Sequence, residues 1–212
     1  MNEPIVILGG TFDPVHIGHL RVALEAAEAL SVPVRLMPAH VPPHRSAPVA
    51  SAAQRVAMLR VALAGQDRLQ LDTRELDRSE PSYTVDTLRQ MRTEYGAARS
   101  LILLLGADAF AGLPTWHNWR ELLDLAHIAV MTRPGHDTSL PANLETVVVA
   151  RRASGVADLR ATPSGKVLDL PVTPLEVSAS AVRALLAAGR DPRWLVPDAL
   201  LADQDLLAPY RN

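Results

Sequence analysis

The sequence of 212 residues contains no cysteine, and this absence excludes several kinds of chemistry. Without thiolates the chain has no disulfides, no cysteine zinc ligands, no iron–sulfur ligands and no cysteine nucleophile. Lys166 is the only lysine among the 21 basic residues, so a Schiff base or a lysine general base has a single candidate. It lies in PSGKVLDL, which lacks the spacing of a phosphate-binding P-loop. Arginine therefore supplies nearly all of the fixed positive charge, and its planar guanidinium suits phosphate and carboxylate groups.

Blocks of one charge and long apolar runs are also missing. The 21 basic and 23 acidic residues leave a formal net charge of −2 without a basic block, so no nucleic acid partner is expected. No apolar run approaches the roughly 18–20 residues that span a bilayer, so no membrane partner is expected either. The start MNEPIVILGG has an acidic residue where a signal peptide carries positive ones, and we expect a cytoplasmic protein. Whether it forms a homo-oligomer stays open, because surface and interface helices share one pattern.

Short apolar runs alternate with amphipathic stretches along the first two thirds of the chain. The predicted strands are Ile5–Leu8, Val34–Met37, Leu69–Leu71, Leu101–Leu105 and His127–Met131, and the predicted helices are Leu20–Leu30, Ala52–Leu63, Val85–Tyr95 and Trp119–Leu125. Strands rich in Val, Ile and Leu are typical of a sheet covered on both faces. With right-handed crossovers this predicts an α/β fold with a doubly wound parallel sheet. Since neither a linker nor a repeat is evident, one domain over residues 1–212 is expected.

The residues between these elements indicate helix starts and one long loop. Ser51 and Thr84 precede helices as capping residues, and the proline-rich segment 38–50 is long enough for a functional lid. Towards the C-terminus the pattern predicts strands at Thr146–Ala150 and Val167–Leu170, and helices at Ala179–Ala188 and Pro197–Leu207.

The strongest motif is GGTFDPVHIGH at residues 9–19, directly after the first predicted strand. There a glycine-containing turn lets backbone N–H groups and a helix N-terminus approach phosphate oxygens. His16 and His19 are three residues apart across the helix start, so both rings can project to one side, and Gly18 leaves space for a ligand. The string is not the dinucleotide fingerprint, so no nicotinamide hydride carrier is inferred. The alternatives are a tight turn with capping or solvated histidines, or a metal-binding pair, although no third ligand is evident.

A second motif, VSASAVR at residues 177–183, opens a helix near the C-terminus. Ser178 or Ser180 can cap the helix, and Ser180 and Arg183 share a face on which they could hold an anion. The alternative is an ordinary capping serine beside a solvated arginine.

Together the two motifs resemble the signatures of the nucleotidyltransferase superfamily, with its Rossmann-like nucleotidyltransferase fold. Further strings resemble one of its families, bacterial nicotinate-nucleotide adenylyltransferase: VPPHR at 41–45, PSYT at 81–84, GAD at 106–108, PTW at 114–116 and RPG at 133–135. Ser180 stands where the family usually has threonine, which keeps the hydroxyl. The resemblance implies transfer of AMP from ATP to nicotinate mononucleotide in NAD biosynthesis, with release of pyrophosphate.

The resemblance also implies a set of residues for ATP. His16, His19 and Arg183 would be catalytic, acting on the phosphates and the transition state. The expected ATP-binding residues are Gly9, Gly10, Thr11, Phe12, Gly18, Gly106, Asp108, Arg133, Ser178 and Ser180. Asp108 would hydrogen-bond the ribose, with capping of the next helix as the alternative. Mg²⁺ is expected as cofactor, held mainly by ATP phosphates and water, so no metal-ligating side chain is expected.

For the acceptor, the resemblance implies that Trp116 stacks on the pyridine ring while backbone N–H groups near Thr84 and His117 receive its carboxylate. Donors alone suit a carboxylate better than an amide, so nicotinate is expected to bind better than nicotinamide. The other expected acceptor-binding residues are Tyr83, His44 and Arg45, the last two reaching the acceptor phosphate from the lid. Core packing is the alternative for Trp116 and Tyr83, and a rigid solvated loop is the alternative for the lid.

Three other functions compete with this prediction. Phosphopantetheine adenylyltransferases and cytidylyltransferases share the histidine motif but lack the strings of the pyridine site. HIGH at 16–19 is also the signature of class I aminoacyl-tRNA synthetases, but the chain is too short for the usual anticodon-binding parts. A non-catalytic nucleotide-binding protein of the same fold is disfavoured by the intact His16, His19 and Arg183.

Overall fold

The fold is built around six parallel strands that form one sheet. The computed structural model describes residues 3–40, 47–78, 82–132 and 139–211. The strands are β1 (Ile5–Gly10), β2 (Val34–Pro38), β3 (Leu69–Leu71), β4 (Leu101–Gly106), β5 (His127–Thr132) and β6 (Val167–Pro171). Their order in the sheet is β3-β2-β1-β4-β5-β6, and every neighbouring pair is parallel. The predicted doubly wound parallel sheet is confirmed.

Helices connect the strands and cover both faces of the sheet. They are α1 (Ile17–Leu30), α2 (Ala52–Ala62), α3 (Thr84–Tyr95), α4 (Ala107–Ala111), α5 (Trp119–Leu125), α6 (Ala142–Arg151), α7 (Val156–Ala161), α8 (Ala179–Ala187) and α9 (Asp198–Ala202). Short 3-10 turns follow at Leu113–Thr115 and Ala208–Tyr210. Ser51 caps α2 as predicted, since its hydroxyl accepts from the backbone N–H of Gln54 at 3.3 Å. None of the helices in the described ranges is long and apolar enough to cross a bilayer.

The core consists of two apolar layers, one on each face of the sheet. Side chains alternate between the faces along β1: Val6 and Leu8 belong to one layer, and Ile5 and Ile7 belong to the other. All four are less than 9% exposed. Burial on both faces explains why the strands are continuous apolar runs.

The strand predicted at Thr146–Ala150 is wrong, because these residues belong to α6. Their β-branched side chains favour a strand in isolation. In the fold, however, Leu144 and Val148 lie one helical turn apart and are both buried, whereas Val149 is 73% exposed. Packing of this one face against the second core layer decides in favour of the helix.

The terminal helix predicted at Pro197–Leu207 is also wrong in its extent. The helix α9 ends at Ala202, and a turn follows in which the Asp203 carboxylate accepts the backbone N–H of Asp205 at 3.2 Å. Such local side-chain bonds compete with the helical pattern.

The sheet order places the topological switch point between β1 and β4. From β1 the chain continues to β2 and β3 on one side of the sheet, and from β4 it continues to β5 and β6 on the other side. The connections therefore leave these two neighbouring strands in opposite directions. In open α/β sheets a crevice opens at this point beyond the carboxyl ends of the strands. The fold therefore places a ligand site at Gly9–Gly10 and Gly106.

Candidate active site

Two cavities adjoin each other at this switch point. The larger has a volume of about 850 Å³ and the smaller a volume of about 420 Å³. Gly9, Gly10 and Thr11 after β1, and Gly106 and Asp108 after β4, line both of them. Two ligands bound in the cavities would therefore meet over the ends of these two strands.

The larger cavity gathers the residues expected to bind ATP, from both motifs. Its lining includes His16, His19, Arg183, Gly9, Gly10, Thr11, Phe12, Gly18, Gly106, Asp108, Ser178 and Ser180. Arg133 lies outside the described residues, so the structure does not test its place. The first motif and the start of α8 both contribute to its wall.

The turn after β1 is shaped by Phe12. Its backbone has a φ of 51°, in the left-handed region that a bulky side chain rarely adopts, and its ring is 1% exposed. A Cβ on Gly10 would lie 2.9 Å from this ring, so the position requires glycine. A Cβ on Gly9 would meet nothing within 4 Å, which leaves that strand end open towards the cavities.

His16 and His19 lie face to face at the start of α1. Their ring centroids are 3.6 Å apart with an interplanar angle of 23°, and the backbone N–H of His16 donates to Nδ1 of His19 at 3.4 Å. His16 is only 5% exposed, and burial lowers its pKa to about 4. Nδ1 of His16 is buried without a hydrogen-bond partner among the described residues, so we assign the single proton to Nε2. Both imidazoles line the larger cavity.

Gly18 has a different function from the one that its position in the motif suggests. A Cβ there would lie 3.0 Å from Nδ1 and 3.1 Å from Cε1 of His16. The space left by the missing side chain is therefore occupied mainly by the His16 ring rather than reserved for a ligand.

The two serines at the start of α8 make different hydrogen bonds. The Ser178 hydroxyl accepts from the backbone N–H of Ala181 at 3.2 Å and so caps the helix. The Ser180 hydroxyl instead accepts from Nη2 of Arg183 at 3.2 Å. Nη1 of Arg183 donates to the backbone carbonyl of Asp13 at 2.7 Å, which ties α8 to the first motif.

Sequence reasoning missed three residues that build the turn beneath the cavity: Asp13, Arg55 and Tyr210. The Asp13 carboxylate is 4% exposed and accepts from the N–H groups of Val49 and Ala50 at 2.8 and 3.0 Å. Nη1 of Arg55 donates to the Thr11 carbonyl at 2.7 Å, although Arg55 is 1% exposed. A signal for Arg55 existed, because it lies one helical turn before the buried Met58 and Leu59.

The smaller cavity gathers the described residues expected to bind the acceptor. Tyr83, Thr84, Trp116 and His117 all line it, and the rings of Tyr83 and His117 are 4.6 Å apart. His44 and Arg45 lie outside the described residues, together with the rest of segment 41–46 of the expected lid. Trp116 also packs against the second core layer, so part of its ring has the structural function that was the alternative.

Two residues in the lining of this cavity, Thr84 and His117, have backbone N–H groups that could serve as donors. Thr84 is the first residue of α3, where helical N–H groups lack intrahelical acceptors. The N–H of His117 donates to no carbonyl within the ranges that the structure describes. Glu75, buried in the same wall, accepts from the Thr87 hydroxyl at 2.7 Å, and burial raises the pKa of its carboxyl.

Asp108 lies between the cavities, on the first turn of α4. The N-cap of that helix is Gly106, and no side chain caps it. The Asp108 side chain is exposed and lines both cavities, so capping does not account for it.

The alternative of a metal-binding histidine pair has little geometric support. Because the two rings are stacked, their nitrogen lone pairs lie in nearly parallel planes and do not converge on one point. Within the described ranges, no group of three histidine or acidic side chains is arranged to hold a metal ion.

Fold and cavities together define a doubly wound α/β protein with a composite nucleotide-sized site at its switch point. A family model described as cytidylyltransferase-like matches residues 7–185 of the chain. A Pseudomonas fluorescens protein named "Probable nicotinate-nucleotide adenylyltransferase" is 51% identical over 212 residues, covering 100% of this chain and 99% of its own. A Dechloromonas aromatica protein of the same name is 46% identical over 216 residues, covering 100% of both chains. The chain therefore belongs to the cytidylyltransferase-like family and, within it, to the nicotinate-nucleotide adenylyltransferases, which confirms the resemblance drawn from its motifs.

Solved structures agree at the level of the fold. A Plasmodium falciparum nicotinic acid mononucleotide adenylyltransferase complexed with NaAD has a TM-score of 0.72 at 16% identity, covering 100% of this chain and 99% of that chain. The same enzyme complexed with APC has a TM-score of 0.69. At this identity the likeness shows the α/β nucleotidyltransferase fold.

Proposed function

We propose that the protein transfers the AMP part of ATP to nicotinate mononucleotide, giving nicotinate adenine dinucleotide and pyrophosphate in NAD biosynthesis. The observation that carries this proposal is the pair of adjoining cavities that share the ends of β1 and β4. A reaction that joins two nucleotides needs two sites whose phosphates meet. The names of the relatives at 46–51% identity support the same reaction.

The chemistry suits a chain without cysteine and with a single lysine. The nucleophile is a phosphate oxygen of the acceptor, which is already ionised at neutral pH. It forms a bond to the α-phosphorus of ATP, while the bond from that phosphorus to the bridging oxygen breaks and pyrophosphate leaves. No general base or covalent intermediate is required, so catalysis consists of alignment and charge stabilisation.

In this proposal the larger cavity binds ATP. His16 is neutral near pH 7 because of its low pKa, and it donates from Nε2 to a phosphate oxygen. His19, whose ring stacks on that of His16, also holds the phosphates. Arg183 and Ser180 hold them as well, because negative charge grows there as pyrophosphate leaves. Arg133, from its place in the sequence, is proposed as a further ATP contact, and Asp108 as the partner of the ribose.

Mg²⁺ is proposed to enter with ATP, bound by phosphate oxygens and water. The donors around the larger cavity are mainly imidazole, guanidinium, hydroxyl and backbone N–H groups, which suit phosphate better than a divalent cation. Bound Mg²⁺ would supply further neutralisation of the phosphate charge.

The smaller cavity is proposed to bind nicotinate mononucleotide. Trp116, with Tyr83 beside it, would stack on the pyridine ring, while the N–H groups of Thr84 and His117 would hold the carboxylate. A helix N-terminus favours a negative ligand, and the amide of nicotinamide would lack an acceptor for its NH₂ group. His44 and Arg45 are proposed to reach the acceptor phosphate.

The test is pyrophosphate release with Mg²⁺ and ATP, with nicotinate mononucleotide, nicotinamide mononucleotide, phosphopantetheine or no acceptor offered in parallel. We expect turnover that depends on the nicotinate form. Turnover with phosphopantetheine alone, or ATP binding without any pyrophosphate release, would overturn the proposal and favour a sibling transferase or a non-catalytic protein.

The same assay tests the histidine motif. His19→Ala should lower turnover about 10²–10³-fold, the usual effect of removing one preorganised donor, while the protein stays folded by circular dichroism. Near-normal turnover of a folded His19→Ala protein would contradict the catalytic assignment.

A further inference from the structure

The C-terminal end of the described chain reaches the turn beneath the larger cavity. Tyr210, in the 3-10 turn Ala208–Tyr210, is 3% exposed, and its hydroxyl donates to Oδ1 of Asp13 at 2.7 Å. This turn also contacts α8, the helix that carries Arg183. A side chain 197 positions away in the sequence is thus hydrogen-bonded to the first motif.

The Asp13 carboxylate has three hydrogen-bond donors and lies beside Arg183. Oδ1 accepts from Tyr210 and from the N–H of Ala50, and Oδ2 accepts from the N–H of Val49. Nη1 of Arg183 lies 3.8 Å from Oδ2 and makes its short bond, 2.7 Å, to the Asp13 backbone carbonyl. The guanidinium therefore rests beside the buried carboxylate without pairing closely with it, and lines the cavity.

We propose that Tyr210 is a positioning residue for ATP: its hydroxyl occupies the Asp13 carboxylate and so keeps the Arg183 guanidinium directed towards the phosphates. This inference rests on the proposed function, because the position of Arg183 matters only if Arg183 binds ATP. Without the hydroxyl, Oδ1 of a buried carboxylate loses a donor, and the nearest mobile cation is Arg183. The guanidinium would move from the cavity into a close ion pair with Asp13.

The surroundings keep the Tyr210 hydroxyl a donor. Burial and the adjacent Asp13 carboxylate both raise the pKa of Tyr210 far above physiological pH. The other cation near Asp13 is Arg55, a residue of α2. Its Nη1 already donates to the Thr11 carbonyl. Arg55 is only 1% exposed and enclosed by its surroundings, whereas the Arg183 side chain is 31% exposed at the cavity, so Arg183 is the cation with room to move.

The test compares Tyr210→Phe with Tyr95→Phe. Tyr95 is the matched control, because its hydroxyl also bonds charged groups, Arg35 at 2.8 Å and Arg74 at 3.2 Å, but it lines neither cavity in the described structure. We expect Tyr210→Phe to weaken ATP binding about tenfold, both as Kd by calorimetry and as KM, with the KM for nicotinate mononucleotide unchanged. Tyr95→Phe should lower only the melting temperature.

A double-mutant cycle tests whether Tyr210 acts through Arg183. In an Arg183→Ala background, Tyr210→Phe should have no further effect on the Kd for ATP. The same tenfold loss in both backgrounds, an unchanged ATP affinity in Tyr210→Phe, or equal losses for both substrates would overturn the inference. A wild-type protein that binds ATP without using nicotinate mononucleotide would refute the proposed function instead, while the ATP affinities would still decide the function of Tyr210.

Discussion

At the residue scale, Trp116 belongs both to the core and to the wall of the smaller cavity. Its ring is half-buried: one part packs on the second core layer, and the rest lines the smaller cavity beside Tyr83 and His117. A rigid aromatic surface of this kind suits the flat face of a pyridine ring. Support from the core holds the ring in place before any ligand binds.

At the residue scale we expect Trp116→Ala to raise the KM for nicotinate mononucleotide tenfold or more and to leave the KM for ATP nearly unchanged. Stacking of a base on an aromatic side chain contributes about 1–3 kcal/mol, which corresponds to this range. Steady-state kinetics with each substrate varied in turn measures both constants.

Trp194 offers a matched control for this experiment. It is 73% exposed and is absent from the described lining of both cavities. Trp194→Ala should therefore leave both KM values unchanged. Equal effects of the two tryptophan substitutions would contradict a stacking function for Trp116.

At the scale of elements, the start of α8 carries two serines that both line the larger cavity but make different hydrogen bonds. Ser178 caps the helix by accepting a backbone N–H, whereas the Ser180 hydroxyl accepts from Arg183 in the cavity wall. At the start of α3, Thr84 lies in the wall of the smaller cavity. A helix start therefore contributes to the wall of each cavity, and N–H groups at helix starts have no partners within the helix.

We expect Ser178→Ala to lower the free energy of unfolding by about 1 kcal/mol, the usual effect of losing an N-cap. Ser180→Ala should change that free energy by less than about 0.5 kcal/mol, as most exposed substitutions do, but should raise the KM for ATP. Urea denaturation and ATP kinetics on the two variants separate these effects. If Ser180→Ala destabilised the fold as much as Ser178→Ala, the division between cap and ligand contact would be incorrect.

For the whole molecule, two buried histidines link stability to pH. His127 is fully buried, with Nε2 bonded to the Thr162 carbonyl at 2.8 Å and Nδ1 accepting the Lys166 N–H at 3.0 Å. This arrangement fits only a neutral ring with its proton on Nε2. Burial lowers the pKa of His127, and it lowers the pKa of His16 to about 4.

The unfolding free energy should therefore be greatest above about pH 7 and fall as the pH drops through the range from about 6.5 to 4. In the unfolded chain a histidine takes up its proton near pH 6.5, whereas in the folded protein these two stay neutral until lower pH, so acid favours unfolding. The shift of His16 corresponds to a contribution on the order of 3 kcal/mol. Urea denaturation at pH 8, 6 and 4.5 measures the slope.

Replacement of one histidine tests the assignment. His16→Asn removes a group that titrates differently in the folded and unfolded chains, so its unfolding free energy should depend less steeply on pH than that of the wild type. An unchanged slope would show that His16 is not the group responsible.

Much of the fold could be predicted because its signals are local. The first five strands and four of the helices between them are predicted in the right order, with ends that differ by a few residues, since each strand buried on both faces is a short apolar run. The short helix α4 is missed. The strand predicted at 146–150 failed because a β-branched run fits either structure until the packing of Leu144 and Val148 chooses one. The motifs likewise indicated the donor groups, but their pairing with ATP and nicotinate mononucleotide stays a prediction.

The sequence by itself determined the alternation of strands and helices, the family, and the kinds of donor at each strand end, because all of these depend on residues close together in the chain. Only the tertiary structure decided that two cavities adjoin at Gly9 and Gly106, and that Arg55 and Tyr210 reach the first motif. The contacts of Arg55 and Tyr210 join residues 44 and 197 positions apart. No local periodicity records such contacts, since they arise only when the packed sheet brings distant elements to one edge.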